Sequence, residues 1–206
     1  MKNLVGEQLL EVVAVLQAVS GDISLHAALA DAAETTALAL KAGRKLMVAG
    51  NGGSAADAQH LVAEFVSRLC DDRPPMRAVA LTTDSSILTA VGNDYGYERV
   101  FARQVEALGQ AGDVFLAIST SGKSPNILRA LELSREMGIA TIGMSGGTGG
   151  KMPPLCDYCI RIPSEVTMHI QQAHLALEHI FCMMVERIYF GPERFAKIAA
   201  AVALQG

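Results

Sequence analysis

The chain has no tryptophan, few aromatic residues (5%) and few charged ones (18%) across 206 positions. No run of like charge exceeds a pair, such as Arg44-Lys45 or Asp71-Asp72. With a formal charge of −4 there is no general basic surface for gripping nucleic acid. An anionic ligand would have to be held by local features. Cysteine is sparse too: Cys70, Cys156, Cys159 and Cys182. Cys156 and Cys159 spell C-x-x-C, which suits a redox pair or half of a zinc site. No second C-x-x-C exists, and the motif leads into an apolar strand-like run, so reduced structural cysteines and a cytoplasmic location are expected. Long apolar runs are also lacking. The start is apolar at Leu4, Val5, Leu9, Leu10, Val12 and Val13, but Glu7, Gln8 and Glu11 interrupt any signal-peptide core. An amphipathic helix fits better. No stretch reaches about 18 uncharged apolar residues, so no membrane span is expected.

What is present is apolar content, 50% of the residues, ample for the core of one domain. So high a share in so short a chain also hints at further surface hidden in an oligomer. Helical periodicity predicts helices over 1–19 and 25–42. Short apolar runs at 45–50, 77–81, 114–119, 140–144 and 158–162 predict strands. Between and after them, helices are predicted at 54–69, 84–92, 97–108, 126–137 and 167–189, with a short final helix from 192. Strands alternating with helices predict a single α/β domain, a mostly parallel five-stranded sheet flanked by helices on both faces in a flavodoxin-like three-layer arrangement. Residues 1–42 would be N-terminal helices for oligomer packing, 43–191 the core, and 192–206 a helical tail.

Two loops join a strand to a helix. One is Gly50, Asn51, Gly52, Gly53 and Ser54; the other is Ser119, Thr120, Ser121, Gly122, Lys123 and Ser124. Free backbone N–H groups and the positive end of a helix dipole make such loops oxyanion sites, and hydroxyls add donors. In a parallel sheet both would lie at the carboxyl ends of the strands, where ligands collect. Gly50, Gly52 and Ala55 also satisfy a dinucleotide fingerprint, with Asp71 and Asp72 about twenty residues on. That acidic pair ends no second strand, so nucleotide binding is set aside.

On the helix after the first loop, His60 and Glu64 lie one turn apart, opposite the stripe of Ala58, Leu61, Val62, Phe65 and Leu69. The spacing suits a shared divalent ion or a carboxylate base beside an imidazole, and equally a solvated polar pair. His169, His174 and His179 fall within eleven residues of the last long helix. His174 sits in its apolar stripe and reads as a core histidine, whereas Gln171 and His179 lie away from it.

The run from Gly50 to His60, then Glu64, Thr82-Thr-Asp, Gly92-Asn-Asp94, the serine loop and Ile170-Gln171 with His179, resembles the phosphoheptose isomerases of the SIS (sugar isomerase) fold over residues 1–191. The resemblance implies conversion of sedoheptulose 7-phosphate to D-glycero-D-manno-heptose 7-phosphate, the first step toward ADP- or GDP-heptose for lipopolysaccharide core, capsule or related glycans. It implies a cytoplasmic homotetramer with one zinc per subunit, and no nucleotide or redox cofactor. By position His60, Glu64, Gln171 and His179 match the zinc ligands. Asn51, Gly52, Gly53, Ser54, Glu64, Asn93, Asp94, Ser119, Thr120, Ser121, Ser124 and Gln171 match the substrate contacts. Glu64 is the candidate base and His179 the candidate acid. Gln171 and His179, eight residues apart, would stand about 12 Å apart along one helix, too far for one ion. Either the helix begins after Gln171 or neighbouring subunits supply different ligands. The same fold occurs in the DnaA initiator-associating proteins, which generally lack the carboxylate at Glu64 and the histidine at His179; this sequence has both.

Overall fold

The computed structural model describes residues 2–69 and 72–191. Two helices open the chain, α1 (Lys2–Gly21) and α2 (Ile23–Lys41). The break between them is chemical: Asp22 takes extended φ/ψ and its Oδ1 accepts from the Leu25 N–H at 3.0 Å, capping α2. The alternating part follows as β1 (Leu46–Gly50), α3 (Gly53–Val66), β2 (Ala78–Ala80), α4 (Ser85–Tyr95), α5 (Ala102–Leu108), β3 (Val114–Ser119), α6 (Pro125–Glu136), β4 (Ala140–Gly146), β5 (Tyr158–Ile162) and α7 (Thr167–Phe190). The predicted tail helix lies outside the described residues.

All five strands pair in parallel in the order β2-β1-β3-β4-β5. Strand side chains alternate between faces, and the two faces bury separate clusters. Leu46, Val48, Leu116, Ile118, Met144 and Ile160 pack on one side against α2, α3 and α7. Met47, Ala49, Phe115 and Ala117 pack on the other with Val105, Ile127 and Leu131 of α5 and α6. This is the expected three-layer arrangement.

One predicted helix is corrected. The 97–108 segment is split into a 3-10 turn at Tyr97–Arg99 and the short α5; Val100 and Phe101 at the junction keep helical φ/ψ and are buried against the sheet. The helix before it, α4, runs past Gly92 and stops at Gly96, whose φ of +88° suits glycine. α1 packs on α7 yet leaves Leu4, Val5, Leu9, Leu10 and Val13 45–69% exposed. By length and composition alone its Asn3–Gly21 segment is apolar enough to cross a membrane, although it contains Glu7 and Glu11.

Candidate active site

Both loops lie at the carboxyl ends of adjacent strands, β1 and β3, where connections leave in opposite directions and a crevice opens. A reciprocal amide pair ties them: Asn51 Nδ2 donates to Asn126 Oδ1 at 2.9 Å and Asn126 Nδ2 returns the bond at 2.8 Å. The crevice holds about 470 Å³ and is lined by Asn51, Tyr97, Glu98, Ser124, Pro125 and Asn126. A cavity of about 420 Å³ beside Lys45 and Arg77 lies at the other end of the sheet; its Lys45 is already paired with Asp113 at 2.5 Å, so it offers less to an anion.

The serine loop turns where Gly122, at φ +61°, donates its N–H to the Ser119 carbonyl at 3.0 Å. Ser119 and Ser124 hydroxyls meet at 3.1 Å, and Ser124 caps no backbone N–H of α6. Two hydroxyls thus share one point at a helix start, an arrangement that suits a phosphate oxygen. Thr120 and Ser121 sit at the rim, Ser121 exposed. Ser54, by contrast, is buried at 3% exposure. Asn93 and Asp94 end α4 on the surface, bonded to each other at 2.7 Å.

His60 and Glu64 from α3 converge with His179 from α7. The two Nε2 atoms lie 2.8 Å apart, Glu64 Oε1 is 3.7 Å from His60 Nε2, and the rings meet edge to face. One donor atom from each residue lies within 4.8 Å of the other two, and all three are half-buried. At most one of two facing imidazole nitrogens can hold the proton between them, so the set favours a cation there. Two imidazoles and a carboxylate with an open side match the donor set of a catalytic zinc. Gln171 is elsewhere. α7 begins at Thr167, so Gln171 is well inside the helix, and its amide lies over Gly53, where a Cβ would stand 2.3 Å from Nε2.

Behind this trio the α3–α7 seam is polar. Glu178 is fully buried with neither oxygen bonded, and its carboxyl is pushed up to about 8, by burial first and then by the Asp57 charge. Burial raises Asp57 as well, against the opposing pull of His60. His174 is the core histidine expected, held neutral by burial with its pKa lowered to about 4, and its Nε2 meets the Ser145 carbonyl at 3.2 Å. At the end of α3, Arg73 pairs with Glu186 of α7 at 2.5 Å and donates to the Glu64 and Phe65 carbonyls. That fork supplies donors to the carbonyls a helix terminus leaves open and locks α3 to α7. The sequence alone assigns Asn126, Glu178 and Arg73 no role. Glu178 carried a signal, since it falls four residues after the stripe residue His174.

A SIS domain model matches residues 10–146, which assigns the class: a SIS-domain protein, with a His–Glu–His group able to hold a metal ion. The chain is 60% identical over 153 residues to phosphoheptose isomerase 2 of Campylobacter jejuni, covering 74% of this chain and 76% of that one. It is 51% identical over 179 residues to the phosphoheptose isomerase of Burkholderia pseudomallei, covering 87% and 91%. The phosphoheptose isomerase GmhA of Neisseria gonorrhoeae superposes with a TM-score of 0.84 at 38% identity, over 90% of this chain and 98% of that one. The chain therefore belongs to the phosphoheptose isomerase family, and it is a sugar phosphate isomerase.

Proposed function

We propose that the enzyme converts sedoheptulose 7-phosphate to D-glycero-D-manno-heptose 7-phosphate, opening a route to ADP- or GDP-heptose, in the cytoplasm and as a homotetramer with one zinc per subunit. The observation that carries this is the convergence of His60, Glu64 and His179 beside two phosphate-type loops, in a chain of this family. Zinc bound by His60, Glu64 and His179 would polarise the substrate oxygens. The serine loop, Ser119, Thr120, Ser121 and Ser124, would hold the phosphate, and Asn51, Gly52, Gly53 and Ser54 the sugar end, with Asn93, Asp94 and Gln171 closing the site.

Ketose-to-aldose isomerisation removes a proton from C1 and delivers one to C2. Glu64 takes the C1 proton, the electrons move to the C2 oxygen, and an enediol results. The carboxyl then returns the proton to C2. A carboxylate has two oxygens, so Glu64 can bind an ion through one and accept the proton through the other. His179 exchanges the hydroxyl protons that must move between O1 and O2. The exposed apolar face of α1 supports the oligomer, as does the surface position of Asn93 and Asp94 on a helix with no buried residue.

The test is turnover of sedoheptulose 7-phosphate, coupled to a heptose 7-phosphate kinase. Glu64→Gln and His179→Ala should each lose on the order of 10²–10⁴ in kcat with the fold intact. Undiminished turnover in Glu64→Gln would remove the base, and no turnover in the wild type would remove the substrate assignment.

A further inference from the structure

The C-x-x-C motif takes no part in the sugar chemistry, yet the fold treats its two cysteines unequally. Cys156 ends the 3-10 turn Pro153–Leu155, and Cys159 lies in β5 opposite Gly143 of β4. Both are free and half-buried. Their sulfurs share the space above Gly143: a Cβ built there would lie 2.6 Å from Cys156 Sγ and 3.6 Å from Cys159 Sγ. The missing side chain is what lets both thiols fit on the sheet. The two thiols are close enough to shift one another's titration, Cys156 upward and Cys159 downward. Cys159 also feels the charge of Arg161, two residues on in β5. It also lines a surface cavity of about 220 Å³ together with Arg161, Gly147 and Ser24, which gives a small reagent a way in.

We infer that Cys156 and Cys159 form a redox-active dithiol, with Cys159 the attacking and Cys156 the resolving thiol, which low-molecular-weight disulfides oxidise to an intramolecular disulfide. In the first step the Cys159 thiolate attacks one sulfur of the reagent RSSR, forming a Cys159–SR mixed disulfide and releasing RS⁻. That thiolate takes the Cys156 proton. The Cys156 sulfur then attacks Cys159 Sγ, the second RS⁻ leaves, and the protein disulfide closes. Two electrons pass from the cysteine pair to RSSR, which ends as one thiol and one thiolate, the latter protonated by water. The interaction with Cys156 first, and Arg161 after it, hold the Cys159 thiol down at about 7, whereas the interaction with Cys159 first and then burial push Cys156 well above the usual thiol range. Attack through Cys159 follows, because only the thiolate is nucleophilic.

The purified full chain, with its metal left in place, is incubated in buffers of reduced and oxidised glutathione, quenched by alkylation and mapped by peptide mass. The expected product is two hydrogens lighter and yields a linked peptide containing Cys156 and Cys159, with buried Cys182 unmodified. In Cys156→Ser the reaction should stop at a glutathione adduct on Cys159. In the wild type, alkylation of Cys159 should be half-maximal near pH 7, and at that pH on the order of threefold faster than for an ordinary thiol, the larger thiolate fraction being partly offset by lower nucleophilicity. Oxidation confined to Cys70 or Cys182, first reaction at Cys156, or two thiols that stay alkylatable at every glutathione ratio would overturn the assignment. None of these readouts depends on the sugar substrate.

Discussion

Glu178 gives the sharpest energetic prediction, because its environment leaves few ways to be wrong. Its side chain is fully buried, neither oxygen has a partner, and Asp57 repels its charge. An unfolded glutamate loses its proton near 4.5, while the folded one keeps it to about 8. Between those values the native state binds the extra proton, so stability falls as pH rises. At about 1.4 kcal/mol per unit, the cost is about 1 kcal/mol at pH 5, about 3 kcal/mol at pH 7, and about 5 kcal/mol once fully developed above pH 8. Glu178→Gln keeps the size and removes the titration. Urea unfolding at one fixed protein concentration, after chelation to take metal linkage out, compares the two proteins from pH 5 to pH 7. The advantage of the glutamine variant should grow by about 2 kcal/mol across that range. Two stability curves that stay parallel would refute the reasoning, for they would mean that Glu178 is ionised and has a cation beside it.

Three further outcomes follow from the same seam and loops. Arg73→Ala strands the buried Glu186 carboxylate and unties the end of α3, so calorimetry should find a loss of about 3–5 kcal/mol; Arg73→Lys should recover little, since an ammonium cannot reproduce the fork. Gly53→Ala places a methyl 2.3 Å from the Gln171 amide, a flexible tip that can move, so stability should change by under about 1 kcal/mol while turnover falls; equal turnover would show that the position of Gln171 is immaterial. His60→Ala should weaken zinc binding at least about 100-fold by competition with a chelator, and retention of wild-type affinity would dissolve the proposed metal set.

The sheet was legible because buried parallel strands are short apolar runs, and 114–119 cannot be read otherwise. The loops were legible because Gly and Ser at a strand end have a physical use there. The 97–108 segment was only partly so: Val100 and Phe101 fit a helical stripe and keep helical φ/ψ, and the change from 3-10 turn to α-helix beside them leaves no mark in the residue pattern. His60 and Glu64 could be placed on one face of α3, but what that face meets is chosen by a helix 119 residues away in the chain. Glu178 has no role readable from the sequence for a different reason: a charge in an apolar stripe is discounted by any rule that expects charges outside.

The helical rise, readable from the sequence alone, carries one step further with the structure. α3 and α7 run in the same direction, with Gln171 over Gly53 and His179 against His60. α7 starts at Thr167, before both contacts, so the option that it begins after Gln171 is gone. Gln171 and His179 therefore stay about 12 Å apart along the axis, and no motion short of unwinding α7 brings both to one ion. If Gln171 is a ligand, it serves the site of a neighbouring chain, and the proposed oligomer is part of the catalyst. Turnover per chain and zinc affinity should then both fall on dilution, in step with dissociation followed by light scattering. Gln171→Ala mixed with His179→Ala should restore activity in the hybrid oligomers that pair an intact half-site from each. Zinc affinity and turnover that survive dilution to the monomer would return the whole site to a single chain.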